Sequence, residues 1–416
     1  MKKTNIPFCT EIPDTWREVP NKYLFSYCSS KVGSNWQKYQ LLSLTTNGVK
    51  EKDFNASGGK VPDNYENYQT VKPGDMVFCL FDLDVSAVFS GLSKTSGMIT
   101  SAYDVVEPNN KFVNKRFIDF WFQYVFSNRY YKMYSKNIRF TIGSDMFMSI
   151  RTPVPLLSEQ IAIGIYLDKK IKQIEAIIES ENNQLSKLFS YKKAIINDVV
   201  INGLDKNCIK KNSNIEWIGE IPAHWVLMNG KYVFKLLDRN VEANDKVVTC
   251  FRDGQVTLRS NRREEGFTFS EKEIGYQGIE PGDLVVHGMD GFAGAIGISD
   301  SRGKGSPVLI VLDTIYDKRY LMYYLRSLAY RDIFVALSTG IRVRTCDLRW
   351  NKLSSLPIVV PPMDEQKNIV EYINNKCDLV DKLILVKKEK IHKLEEYKTA
   401  LIYEYVTGKE EVAYEI

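Results

Sequence analysis

Two stretches rich in arginine, lysine and small polar residues carry the side chains best suited to reading a nucleic acid. Lys132, Lys136, Asn137, Arg139 and Thr141 follow an aromatic run in the first half of the chain, and Arg342, Arg344 and Thr345 follow a similar run in the second. A guanidinium can donate two parallel hydrogen bonds to guanine, an Asn amide pairs in the same way with adenine, and a lysine ammonium mostly meets phosphate. A third basic group, Arg252, Arg259, Arg262 and Arg263, has no equivalent in the first half, so the two halves are expected to suit different sequences. Gly291, inside the glycine-rich Gly288 to Gly294, offers backbone that a ligand can approach closely. These are the candidate DNA-binding residues. The plain alternative for each is a solvated surface charge or a turn.

Catalytic signatures are missing. Gly303-Lys304 is followed by Gly305 and lacks the glycine five positions upstream that a phosphate loop needs, and there is no G-x-G-x-x-G fingerprint. Val360-Pro361-Pro362-Met363 lacks both the polar first residue and the aromatic last residue of the amino-methyltransferase motif. The nuclease-like triplets Asp168-Lys169-Lys170 and Glu396-Tyr397-Lys398 fall on helical repeats without an acidic partner on a strand, and read as solvated helix faces. His224, His287 and His392 lie far apart, and the seven cysteines are scattered without a C-x-x-C pair, so neither a metal site nor a disulfide framework is expected.

The elements that must position the basic residues occur twice. Glu11-Ile12-Pro13-Asp14-Thr15-Trp16 matches Glu220-Ile221-Pro222-Ala223-His224-Trp225, and Lys22-Tyr23-Leu24-Phe25 matches Lys231-Tyr232-Val233-Phe234 at the same offset. Pro73-Gly74-Asp75 and Pro281-Gly282-Asp283 each precede an apolar run and read as a turn feeding a strand. Aromatic helices are predicted over Phe117 to Tyr134 and Tyr320 to Leu337, each leading to its basic loop. Pro155-x-x-x-Glu159-Gln160 and Pro361-x-x-x-Glu365-Gln366 then open a long helix, with Ser158 or Asp364 as cap.

Those long helices have heptad seams in the same phase. Leu167, Ile174, Leu188 and Ile195 with Ile171, Ile178, Leu185 and Val199 form the first; Ile373, Val380, Leu394 and Leu401 with Cys377, Ile384, Ile391 and Tyr405 form the second. Polar residues interrupt the same two layers, Glu181 and Lys387 in one, Lys192 and Lys398 in the other. Each helix is expected to bury its stripe against the other as an antiparallel coiled coil, with the globular domains at opposite ends. The expected order is a domain over 1–157, a helix over 158–202, a linker over 203–216, a domain over 217–363 and a helix over 364–410. The fold class is α+β, two pseudo-repeated α/β modules separated by two long helices.

A chain of 416 residues, 44% apolar and 26% charged, fits two or three globular domains, and a net charge of +5 permits a polyanionic partner without requiring one. No apolar run is long enough to span a bilayer and the start lacks the apolar core of a signal peptide, so a cytoplasmic location is expected.

Over essentially its whole length the chain resembles the specificity (S) subunit of type I restriction-modification systems. The resemblance rests on Pro13/Trp16 and Pro222/Trp225, on the two P-x-x-x-E-Q helix starts, and above all on Gly203-Leu204-Asp205 leading to Ile215-Glu216-Trp217-Ile218-Gly219-Glu220-Ile221-Pro222. Leu156 stands where the second copy has Pro362, and Thr407-Gly408-Lys409 stands where the first has Asn202-Gly203-Leu204. The resemblance implies two target recognition domains, each reading half of a bipartite DNA site, and no catalytic residues in this chain. It further implies double-stranded DNA, two modification subunits holding S-adenosylmethionine, and motor-nuclease restriction subunits using ATP and Mg as partners. A scaffold with two protein-binding modules and a self-sufficient methyltransferase-nuclease are the alternatives, the latter disfavoured by the missing motifs.

Overall fold

The computed structural model describes residues 1–46, 48–54, 64–83, 90–135, 140–262, 274–337 and 348–412. The chain forms two compact units, Met1–Glu181 with Glu389–Ile416, and Asn182–Lys388. The divisions fall inside the long helices Leu157–Asn202 and Met363–Val406, so each unit contains one module, the start of the helix that follows it and the end of the other helix.

In the first unit, strand Arg17–Pro20 pairs antiparallel with Arg151–Val154, tying the start of the module to its end. Between them lies a four-stranded antiparallel sheet in the order Phe25–Tyr27, Asp104–Pro108, Met76–Phe78, Ser90–Leu92. Gly74, at φ +92°, makes the turn before Met76, and the Asp75 carboxylate accepts the Lys72 N–H at 2.7 Å. Helix Lys115–Ser127 begins at Asn114, whose side chain accepts from the N–H groups of Arg116 and Phe117. Phe117, Phe120, Trp121, Phe122, Val125 and Phe126 are all buried, as a helix apolar on most sides requires.

The second unit repeats this plan. Val226–Asn229 pairs with Pro357–Val360, and the sheet order is Lys235–Leu237, Leu309–Asp313, Leu284–His287, Ile296–Ile298. Gly282, at φ +88°, and Asp283, accepting the Glu280 N–H at 2.8 Å, rebuild the same turn. Asp317 caps helix Lys318–Tyr330 as Asn114 caps its counterpart. Among the described residues every strand ladder is antiparallel and parallel pairing is confined to isolated bridges such as Leu41 with Met98, so the mixed architecture is α+β.

The aromatic helices are shorter than their sequence pattern predicts. Arg129, at φ +57°, and Asp332, also at +57°, take the left-handed conformation and end them. A separate 3₁₀ turn, Tyr130–Tyr134, and a short helix, Ile333–Ala336, follow. Tyr131 and Phe334, just past the breaks, are both buried in the core.

Within each unit the two long-helix segments pair antiparallel. Every seam position named from the sequence is buried or half-buried, from Leu167 and Ile373, wholly buried, to Leu394 and Tyr405. The polar layers are filled by cross-helix pairs. In the first unit the Lys390 ammonium meets the Glu181 carboxylate at 2.6 Å and Lys398 meets Glu175 at 3.5 Å. In the second, Lys387 donates to Gln184 at 2.6 Å and Lys192 to Asp381 at 2.6 Å. These are the same two pairs repeated, because adding 206 to Glu181, Gln184, Glu175 and Lys192 gives Lys387, Lys390, Asp381 and Lys398.

Candidate nucleic-acid interface

The repeated motifs build the frame that holds the basic loops. Trp16 and Trp225 are wholly buried, and their indole N–H groups donate to the carboxylates of Glu159 at 2.8 Å and Glu365 at 2.9 Å. Gln160 and Gln366, also wholly buried, donate to the carbonyls of Pro155 at 2.9 Å and Pro361 at 2.7 Å. Their side-chain oxygens accept the N–H of the aromatic helix caps, Asn114 at 2.8 Å and Asp317 at 3.0 Å. The E-Q pair thus fastens the long helix to the tryptophan and to the aromatic helix at once. Gly408, at φ +69°, sits where a Cβ would collide with Pro13, and Gly203, at φ +72°, lies against Trp225, so each tryptophan also receives the end of a long helix.

Arginines gather in the second unit. Strands Val248–Cys250 and Val256–Leu258 form a hairpin whose turn, Phe251 to Gln255, carries Arg252 and Asp253. Arg252 is largely exposed and donates to Asp290 at 2.9 Å; Arg262 donates to Asp253 at 2.6 Å and stacks 4.4 Å from the Phe251 ring centre. Arg259 lies 3.5 Å from the Thr249 hydroxyl on the same hairpin. The Asp290 N–H donates to His287 Nδ1 at 3.0 Å, and burial holds the imidazole pKa below its ordinary 6.5. Gly291 is buried, with Leu348 Cδ1 2.6 Å from the position of an added Cβ. Packing against Leu348 accounts for that glycine, so open backbone offered to a ligand, the expectation from sequence, is not what the position provides.

In the first unit Lys132 is exposed and lies 4.2 Å from the Phe140 ring centre, and Thr141 is half-buried just before Ile142, whose N–H donates to the Leu80 carbonyl at 2.8 Å. Lys136, Asn137, Arg139, Arg263, Arg342, Arg344 and Thr345 lie outside the described residues. Among the described candidates the structure brings together Arg252 and Arg262 through Asp253 and Asp290, and places Lys132 and Thr141 in the other unit. Sequence reasoning missed Asp253, Asp290, Arg326 and Tyr330. Only the i, i+4 spacing of Arg326 and Tyr330 on a predicted helix was available to flag them.

Residues that resembled catalytic fragments have structural partners. Asp168 receives the Arg116 guanidinium through Nε, at 3.0 and 3.1 Å, and through Nη2, and Glu396 pairs with His392 at 3.3 Å one helical turn away. Cys9, Cys28, Cys79, Cys208, Cys250 and Cys377 are free thiols, and burial pushes Cys9 and Cys250 up to about 12, keeping both protonated. Among the described residues no helix is long and apolar enough to cross a membrane.

No protein-family model matches the chain. Three solved structures align over nearly all of it. One, a chain solved for the structural basis of complex assembly and conformational transition of the type I R-M system, has a TM-score of 0.69 at 12% identity, covering 96% of this chain and 100% of that one. The HsdS subunit from Thermoanaerobacter tengcongensis follows at a TM-score of 0.49 and 12% identity, over 96% of this chain and 98% of that one. The type I restriction-modification S subunit from M. genitalium aligns at 0.36 and 11% identity, over 97% and 98%. The first of these shows that the present fold is one found in a type I R-M system.

Proposed function

We propose that this chain is the DNA-reading specificity subunit of a type I restriction-modification complex. The observation that carries the reading is a fold shared with a type I R-M chain over 96% of the present sequence, built as two copies of one module. Each module, 12–157 and 217–363, reads one half of a bipartite duplex target, and the side chains named above (Lys132, Thr141, Arg252, Arg259 and Arg262, with those outside the described residues) supply the contacts. The paired long helices set the spacer between half-sites and dock two modification subunits on their faces away from the seam. Methyl transfer, ATP use and cleavage belong to partner subunits that hold S-adenosylmethionine, ATP and Mg; this chain contributes recognition and no catalytic group, in the cytoplasm.

Titrating the full chain with random-sequence duplex DNA at 50 and 200 mM salt tests this. Several phosphate contacts, each releasing condensed counterions from the DNA, would lower the affinity by about a hundredfold or more over that range. Absence of DNA binding at the lower salt would favour a protein-binding scaffold with two repeated modules. Comparing adenine methylation in cells with and without the chain then gives the target.

A further inference from the structure

The two modules differ at one place where their frames match. Helices Lys115–Ser127 and Lys318–Tyr330 are both 13 residues long and capped alike, so their ninth and thirteenth positions correspond: Gln123 with Arg326, and Ser127 with Tyr330. In the first unit a cavity of about 200 Å³ opens beside Gln123 and Ser127, lined also by Thr45, Thr46 and Ser90. In the second, Arg326 reaches the hairpin turn. Its Nη2 donates to the Asp253 carbonyl at 2.7 Å and its Nε to the Tyr330 hydroxyl at 2.8 Å.

This contact fixes the turn from below. Gly254, at φ +91°, lies where a Cβ would collide with the Arg326 guanidinium. Gly294, at φ +94°, would place a Cβ 3.0 Å from the Arg252 carbonyl, so a second segment also closes on the turn. From above, Asp253 holds Arg262, and Asp290 holds Arg252 through one Nη. Among the described residues the remaining nitrogens of Arg252 have no partner, leaving donors of its planar fork available. A guanidinium tethered by a carboxylate loses less rotamer freedom on binding, and two parallel donors match guanine O6 and N7 and no other base edge.

We infer that the second module reads guanine through the Phe251 to Gln255 turn, with Arg252 as the base contact and Arg326, which stands where the first module has Gln123, as the positioning residue that locks the turn. The inference rests on the proposed DNA-reading function and names the chemistry of one half-site.

The test is selection of duplexes from a randomised pool by the full-length wild type, Arg252→Ala, Arg326→Lys and Asp290→Asn, with thermal unfolding of each protein as a control for folding. The wild type should select a bipartite site with guanine in one half. Arg252→Ala should lower discrimination at that guanine by about 5- to 150-fold and leave the other half-site unchanged. Arg326→Lys keeps the charge but cannot bridge Asp253 and Tyr330, so it should lower the same discrimination without changing the salt dependence of binding; Asp290→Asn should act likewise while preserving side-chain shape. Unchanged guanine preference in Arg252→Ala, full discrimination in Arg326→Lys, or a uniform loss with a shallower salt slope would overturn the inference, the last marking phosphate contacts. A wild type that binds DNA but selects no guanine overturns it alone. A wild type that binds no DNA removes the proposed function and this inference with it.

Discussion

Replacing Gln366 by Ala tests whether the E-Q motif is a structural clamp. Its wholly buried side chain bridges the Pro361 carbonyl, 2.7 Å from Nε2, and the Asp317 N–H, 3.0 Å from Oε1. Truncation strands both backbone groups. The carbonyl is deeply buried and the N–H partly so, which sets the combined loss at about 3 kcal/mol from penalties of about 1 to 3 kcal/mol each. In a unit of roughly 200 residues, 1 kcal/mol moves the melting temperature by about 2 to 4 °C, so a fall of about 6 to 12 °C is expected by calorimetry. Gln366→Glu separates hydrogen bonding from packing. Its carboxylate still accepts from Asp317 but cannot donate to Pro361, so it should destabilise at pH 7 and recover part of the loss, relative to wild type, near pH 4 where the carboxyl can donate. Gln160→Ala, which additionally frees the Phe112 carbonyl, should cost at least as much. A loss below about 1 kcal/mol, or wild-type stability of Gln366→Glu at pH 7, refutes the clamp.

Other outcomes follow from the same geometry. Gly408→Ala forces a left-handed residue and a collision with Pro13, and should cost about 2 to 4 kcal/mol in urea unfolding, whereas exposed Gly143→Ala, at an ordinary φ with nothing near its Cβ position, should be almost neutral. Lys390→Ala leaves the buried Glu181 carboxylate without this partner and should destabilise by about 1 to 3 kcal/mol; Glu181→Leu should be neutral or stabilising, since it replaces the layer with apolar packing. For His287, burial lowers the pKa, with Asp290 raising it and Arg252 lowering it. The unfolded chain therefore binds the proton more readily, so the contribution of His287 is fully present above pH 6.5 and declines as pH falls below it. The stability difference between wild type and His287→Gln, measured by urea unfolding from pH 7.5 to 5.5, should shrink over that interval; a constant difference would contradict the assignment.

Local and periodic features were legible in the chain itself. Offsets near 206 to 209 disclosed the duplication, heptad phase marked the seam, and Pro-Gly-Asp marked the turns, because each rests on spacing that the backbone converts directly into a face or a bend. Antiparallel seams implied that each unit takes in the end of a distant helix, but the joint that seats it there was not legible. Which end of a long helix meets Trp16 is decided by the packing of Gly408 and Pro13, residues about 400 positions apart. The breaks at Arg129 and Asp332 escaped the pattern because left-handed backbone at a non-glycine residue is set by what the following segment can bury, and an aromatic stripe continues through the break unchanged. Among the basic residues, composition pointed to the arginines of the second module. Only the tertiary structure decided that Arg326, sixteen positions before the Arg342 that opens the basic run, supports the turn bearing Arg252, because that contact joins a helix to a hairpin 73 residues away.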